Sequence, residues 1–191
     1  GLHEYIIQKR PESDPLTKAE FAQGDVVTTV LKTTLGQTIV ITLDTTLPRA
    51  YSRGFTVRGT RGAYFEDTDS IFLDGEHNKF DFEPKKLWGN AEGYEKDYMH
   101  PLWQDYTPQG GHGGMDWIVL HAFCEAASKN VRPPIDVYDT ALYMSITPLS
   151  EQSLAAGGAP VYVPDFTCGK WYMRNDIVDL GYSIDRKRKL V

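Results

Sequence analysis

The stretch Asp25-Val26-Val27-Thr28-Thr29-Val30-Leu31 runs through Lys32-Thr33-Thr34-Leu35-Gly36 into Gln37-Thr38-Ile39-Val40-Ile41-Thr42-Leu43-Asp44. Both arms are rich in β-branched residues, and the second sets Ile39, Ile41 and Leu43 against Val40, Thr42 and Asp44, the period of two that a strand requires. With a turn at Leu35-Gly36 between them, the two arms predict an antiparallel hairpin, the second arm reaching Thr46. Working outward, Arg53 to Gly59 predicts a third strand and Gly62 to Glu66 a fourth. Ser70 to Asp74 with Lys79 to Phe82 predicts a further hairpin across Asp74-Gly75. Strands joined by such short links form a meander and not a crossover sheet.

Two helical patterns follow. Met115, Ile118, Val119, Ala122, Phe123 and Ala126 fall on one helical face just after His112-Gly113-Gly114, with Asp116 in the first turn, where the helix dipole favours a carboxylate. A second helix opens at Asp136, an N-cap with Asp139 three residues on, and closes at Gly157-Gly158; Pro148 is expected to kink it. Strands followed by helices give an α+β fold: an open, mainly antiparallel β-sheet with helices packed on one face. The other face, carrying Ile39, Ile41 and Leu43, needs a cover, either a neighbouring domain or a homo-oligomer formed through the sheet.

The remaining segments are less regular. Leu2 to Phe21 mixes apolar and charged residues around Pro11 and Pro15 and predicts only a short helical turn near Thr17 to Phe21. Glu83 to Gly111 has no period, and a loop of that length inside a domain is usually functional. A short strand is expected at Pro160 to Val163, then a coil. The domain reading is a leading segment 1–23, an α+β domain 24–171 and a C-terminal tail 172–191.

At 191 residues, 41% hydrophobic and 24% charged, the chain suits one ordinary domain. Its net charge of −6 speaks against nucleic acid, since the one basic run, Arg186 to Lys189, reads as a solvated tail. No apolar stretch is long enough to predict a membrane partner. Cys124 and Cys168 fit no metal or disulfide framework, and no histidine has a partner at metal spacing. Neither a nucleophile elbow nor a definable glycosidase carboxylate pair is present. The compartment stays open between cytoplasm and, given an upstream export signal, the periplasm.

Three groups of residues are candidates for chemistry. Leu47-Pro48-Arg49-Ala50-Tyr51-Ser52-Arg53 offers guanidinium forks and a phenol at a strand end, suited to carboxylates or sugar hydroxyls; equally, it is a sheet corner with surface ion pairs. Gly110-Gly111-His112-Gly113-Gly114 permits close ligand approach before a helix start, or is a structural turn capped by His112; its spacing is not that of a nucleotide fingerprint. Trp88, Tyr94, Tyr98, His100, Trp103 and Tyr106 form a stacking platform for sugars or anchor the long loop to a core.

In order along the chain stand PRAYSRGF around Tyr51, GTRG at 59–62, GGHGGMDW at 110–117, DVYD at 136–139, PLSEQS at 148–153 and PDFTCGKW at 164–171. Together they resemble the C-terminal domain of the Gfo/Idh/MocA oxidoreductases, in particular the branch holding family 109 of the glycoside hydrolases, NAD-dependent α-N-acetylgalactosaminidases. The resemblance implies a two-domain enzyme whose N-terminal Rossmann domain, absent here, binds NAD or NADP. The present chain would then be an inactive substrate-binding and oligomerisation domain with no catalytic, cofactor or metal residues of its own. It implies oxidation of the sugar at C3, elimination across C2, water addition and hydride return, with the catalytic histidine and a further tyrosine lying upstream. Tyr51 inherits a substrate contact, with Arg49, Arg53 and His112 as substrate-binding companions. Ala50 stands where the motif usually has proline and Cys168 where it often has arginine, which leaves the loop's stiffness and the exact substrate open; the enzyme is then either a redox-assisted glycosidase or a sugar dehydrogenase. A non-catalytic scaffold module and a self-standing sugar-binding domain are the alternatives.

Overall fold

The computed structural model describes residues 1–21, 24–44, 46–104, 106–177 and 179–185. The basic run at Arg186 to Lys189 lies outside the described residues. The chain divides into two compact units, Gly1–Arg53 and Gly54–Val191, and each is described by itself.

The first unit begins with a helix that the proline-bounded leading segment did not predict, α1 (Leu2–Lys9). Its Ile6 is buried, and its first amide, Leu2 N–H, donates to Asp25 Oδ1 at 3.0 Å. Asp25 also accepts from Thr46 Oγ1 at 2.8 Å, and these bonds hold its carboxyl below the usual range, Thr46 contributing most. The helical turn expected near Thr17–Phe21 is a 3-10 turn at Pro15–Lys18, set by Asp14 accepting from Leu16 N–H.

The hairpin forms as read. β1 (Val26–Lys32) pairs antiparallel with β2 (Thr38–Asp44), from Val26 opposite Asp44 to Lys32 opposite Thr38. Gly36 supplies the positive φ of 93° that the turn needs, and Thr33 N–H and Gly36 N–H close it. This register gathers Val27, Leu31, Ile39, Ile41 and Leu43 on one face. Ile39 and Leu43 are 47% and 42% exposed, so the face has little cover of its own.

In the second unit β3 (Thr56–Arg58), β4 (Gly62–Phe65) and β5 (Ser70–Leu73) form a three-stranded antiparallel sheet in sequence order. Gly62 is needed there, because a Cβ would meet the Phe72 carbonyl oxygen at 2.6 Å. The fold is α+β and antiparallel, with the strands of the described residues in two sheets and not one. A reason lies at the end of β2: Arg49 occupies the Asp44 carbonyl with two N–H groups, which takes that acceptor out of any further ladder.

The expected strand Lys79–Phe82 does not form. Asn78 Oδ1 accepts from Phe80 N–H and Asp81 Oδ1 from Glu83 N–H, side-chain turns that take the amides a ladder would need. The outer edge of β5 is closed by two side chains instead. Asn90 bonds both Ile71 N–H (2.7 Å) and Ile71 O (2.9 Å), and His77 takes Leu73 N–H on Nδ1 (2.9 Å) while its own N–H donates to Leu73 O. Around Asn90 the long aperiodic loop folds into a 3-10 turn at Pro84–Leu87 and two short helices, α2 (Glu92–Tyr98) and α3 (Pro101–Gln104).

Helix α4 (Met115–Ser128) buries Ile118, Ala122 and Ala126, one residue per turn. The predicted companions Met115, Val119 and Phe123 are exposed, so the inner stripe is narrower than the sequence suggested. Helix α5 (Val137–Ala155) starts on a reciprocal cap: Asp136 accepts from Tyr138 and Asp139 N–H, and Asp139 accepts from Asp136 N–H. It ends at Gly157 and Gly158, both left-handed, and Pro148 lies within its span. The expected strand at Pro160–Val163 is coil: Pro160 and Pro164 lack donors and Ser153 Oγ takes the Ala159 carbonyl.

The C-terminal segment is not a loose coil over its described length. Arg174 donates to Asp139 Oδ1 and Oδ2 (2.7 Å each) and to Asp136 Oδ2 (3.0 Å). Arg132 donates to Asn175 O, and Glu125 of α4 accepts from Gly181 and Tyr182 N–H. Leu180 and Ser183 are among the most buried residues of the chain.

Candidate functional site

The corner after β2 presents the first candidate residues. Arg49 is committed to the corner itself: Nε and NH2 donate to Asp44 O (3.1 and 2.7 Å), NH1 to Ser52 O (3.2 Å), and Nε lies 3.4 Å from Asp44 Oδ2. Its guanidinium therefore stiffens the loop around Ala50, and has little left for a ligand. Tyr51 is the opposite case. At 84% exposure its ring stands clear of the corner, and its hydroxyl has no partner among the described residues. Arg53 is exposed at the end of the same loop. Asp44 Oδ1 is buried with no hydrogen-bond partner among the described residues.

His112 belongs to the second unit. It sits with a positive φ of 50° in a 3-10 turn, His112–Gly114, that leads directly into α4. Its Nδ1 lies 2.9 and 3.0 Å from the two oxygens of Asp116, one turn on, and both side chains are exposed. A carboxylate on Nδ1 fixes the imidazole and leaves Nε2 turned outward, able to accept or pass a proton. Asp116 was read from sequence only as a favourable helix-start charge. Its i, i+4 spacing from His112 is the signal that identifies the pair. The flanking glycines are required: at Gly114 (φ 92°) a Cβ would lie 2.7 Å from Tyr106 Oη and 2.8 Å from Pro108 Cα.

The aromatic loop residues divide by role. Tyr106 is structural, its hydroxyl donating to Gly114 O at 2.8 Å and its ring meeting Trp103 edge-on and Trp117 at a tilt. Tyr94 donates to Glu76, and His100 bonds Leu102 N–H and Ile184 O. Trp88, Tyr98 and Trp103 keep 54%, 68% and 44% of their surface exposed. A second aromatic group that sequence reasoning missed, Trp117, His121 and Tyr182, joins α4 to the C-terminal segment; Trp117 and His121 stack with centroids 3.5 Å apart. Among the described residues no group of three or more metal-ligating side chains is present, and no helix is long and apolar enough to cross a membrane.

Comparison with known proteins completes the picture. The sequence model described as "Glycosyl hydrolase 109, C-terminal domain" matches residues 1–173. A glycosyl hydrolase family 109 protein of Stenotrophomonas maltophilia is 44% identical over 181 residues, covering 93% of this chain and 38% of the relative. A family 109 protein of Parabacteroides distasonis is 40% identical over 91% of this chain and 37% of its own length. A protein of Tannerella forsythia named α-N-acetylgalactosaminidase is 39% identical over 91% of this chain and 36% of its own length. The chain thus spans well under half the length of these relatives. The matched region runs through both units and contains every candidate residue, from Arg49 to His112, and on that basis the chain belongs to glycosyl hydrolase family 109, as its C-terminal domain.

Proposed function

We propose that this chain is the substrate-binding domain of a glycosidase that removes α-linked N-acetylgalactosamine, working with an N-terminal dinucleotide-binding domain of the full-length protein. The observation that carries the reading is Tyr51: a phenol 84% exposed, on a corner stiffened by Arg49, inside a family match that covers residues 1–173. The name of the Tannerella forsythia relative supports the sugar.

The residues of this chain do not fit a nicotinamide dinucleotide. Its strand ladders are antiparallel among the described residues, and Gly110–Gly114 follows coil and not a strand. NAD or NADP is therefore assigned to the N-terminal domain. What this chain contributes is recognition. Tyr51 bonds a hydroxyl or the acetamido oxygen of the sugar, Arg53 adds positive charge beside it and Arg49 holds the corner; in the Gly54–Val191 unit, taken by itself, His112 is fixed by Asp116. The aliphatic face of β1 and β2 serves association, with a second copy or with the N-terminal domain.

The test is Tyr51→Phe in the full-length protein, assayed with an aryl α-N-acetylgalactosaminide. One neutral hydrogen bond is worth about 1 kcal/mol, so kcat/KM falls about fivefold to tenfold. The melting temperature stays unchanged because the hydroxyl holds nothing in the fold. An unchanged kcat/KM overturns the assignment of Tyr51.

A further inference from the structure

We infer that residues 174–177 of the C-terminal segment, with Asp179 and Leu180, build a second saccharide-binding groove in the Gly54–Val191 unit. The family match ends at residue 173, yet the residues that follow form one wall of an open groove of about 740 Å³. The connection from Lys129 to Asp136, Tyr138 in the first turn of α5, and Thr167, Lys170 and Met173 form the rest. That volume falls within the range of about 300–1,000 Å³ common to small-molecule sites.

The charges of the wall are largely spent on one another. Arg174 is bound by Asp136 and Asp139, and Lys129 is bound by Glu125 at 2.8 Å and by the Asp179 carbonyl. These pairs make the wall rigid and bring it close to neutral, which disfavours an ionic ligand. Three lining groups have no hydrogen-bond partner among the described residues: the Lys170 ammonium, the Tyr138 hydroxyl and the Asp179 carboxylate. They amount to a donor, a group that both donates and accepts, and an acceptor. Val131, Met173 and Ile177 of the same lining supply apolar surface. A neutral ring with hydroxyls on its rim and C–H groups on its face matches that set, and an N-acetyl methyl suits the apolar wall. The inference rests on the reading of the protein as a carbohydrate enzyme and adds to it a place for a second sugar unit.

The experiment is a titration of the isotopically labelled chain with N-acetylgalactosamine, followed by amide resonances at two separate sets of positions. Shifts at Gly169, Lys170, Met173 and Ile177 report the groove, and shifts at Ala50, Tyr51 and Ser52 report the corner. The expected result is saturable shifts at the groove. Lys170→Ala weakens them about tenfold, the loss of a charged hydrogen bond, Tyr138→Phe about fivefold, the loss of a neutral one, and Tyr51→Phe leaves them unaltered. Lys170 and Tyr138 make no side-chain bond that the fold needs, so both variants retain the parent spectrum elsewhere. Absence of shifts at the groove, or groove shifts of unchanged affinity in both variants, overturns the proposal. Failure of the broader reading registers separately, as absence of the corner shifts and of glycosidase turnover by the full-length protein.

Discussion

Replacing Arg174 by alanine is the most informative perturbation of the fold, because one side chain ties the C-terminal segment to the start of α5. Its side chain is 27% exposed, and those of Asp136 and Asp139 are 12% and 19% exposed, so the group is partly screened by solvent. Three charge-assisted bonds of 2.7–3.0 Å are lost, and two carboxylates one turn apart are left facing each other. Allowing for screening and for water that takes the place of the guanidinium, the expected cost is about 2 kcal/mol. For a chain of this size that is a fall of about 4–8 °C in melting temperature. The same pair links stability to pH. The Arg174 bonds hold the Asp139 carboxyl below its ordinary value, and the Asp136 amide adds to the effect. A depressed carboxylate contributes stability that is complete above its unfolded value of about 3.9 and is lost as pH falls through the lower folded value. Urea denaturation at several pH values therefore shows a constant gap between parent and Arg174→Ala above about pH 5 and a shrinking gap below about pH 4. A double-mutant cycle with Asp139→Ala gives a coupling of about 1 kcal/mol or more. A gap below about 0.5 kcal/mol at neutral pH, the scale of an ordinary surface substitution, refutes the reasoning, as does a gap that grows with acid.

Other consequences are equally open to measurement. Glu125→Gln removes the charge that draws Lys129 and the Gly181 and Tyr182 amides together, so those two amides exchange with solvent faster while the β4 amides do not change. Acid acts in the same direction, because these bonds, the Gly181 amide foremost, hold the Glu125 carboxyl below its usual range; protection of the two amides is lost as pH falls through that lowered value. Asn90→Ala leaves both Ile71 backbone groups without their amide partner and costs about 1–3 kcal/mol in urea denaturation. Gly114→Ala places a methyl against Tyr106 and Pro108 at a left-handed φ of 92°, and costs about 2 kcal/mol or more with a change in Trp117 emission.

What the sequence disclosed follows from how local each signal is. The β1–β2 hairpin was legible because period two, β-branching and Gly36 all agree within twenty residues, and α5 because Asp136, Asp139 and the closing glycines mark both its ends. Helix α1 was missed because Pro11 and Pro15 dominate the reading of a segment whose stabilising contact, Asp25, is a long way along the chain. The false strand at Lys79–Phe82 failed through Asn78 and Asp81, whose short side chains compete with a ladder for the same amides. The clamps of Arg174 and Glu125 join residues 35 to 57 positions apart, and nothing in a single sequence pairs them. At the candidate site the sequence marked Tyr51 and Arg49 alike. Only the hydrogen bonds separate them, with Arg49 spent on the backbone and Tyr51 open to solvent.

The sealed edge of β5 bears on how this protein behaves in crowded solution. An unpaired strand edge is a template on which a foreign strand can add, and repeated addition is how sheets aggregate. Along β5 the outward backbone groups of Ile71 and Leu73 are already taken by Asn90 and His77. The outer side of β3 has no ladder among the described residues. The three-stranded sheet is thus polar in the sense of a growing filament, with one margin terminated and one receptive. Joining β5 to β5 would first have to break the Asn90 and His77 bonds in both copies, so growth through the β5 side is disfavoured.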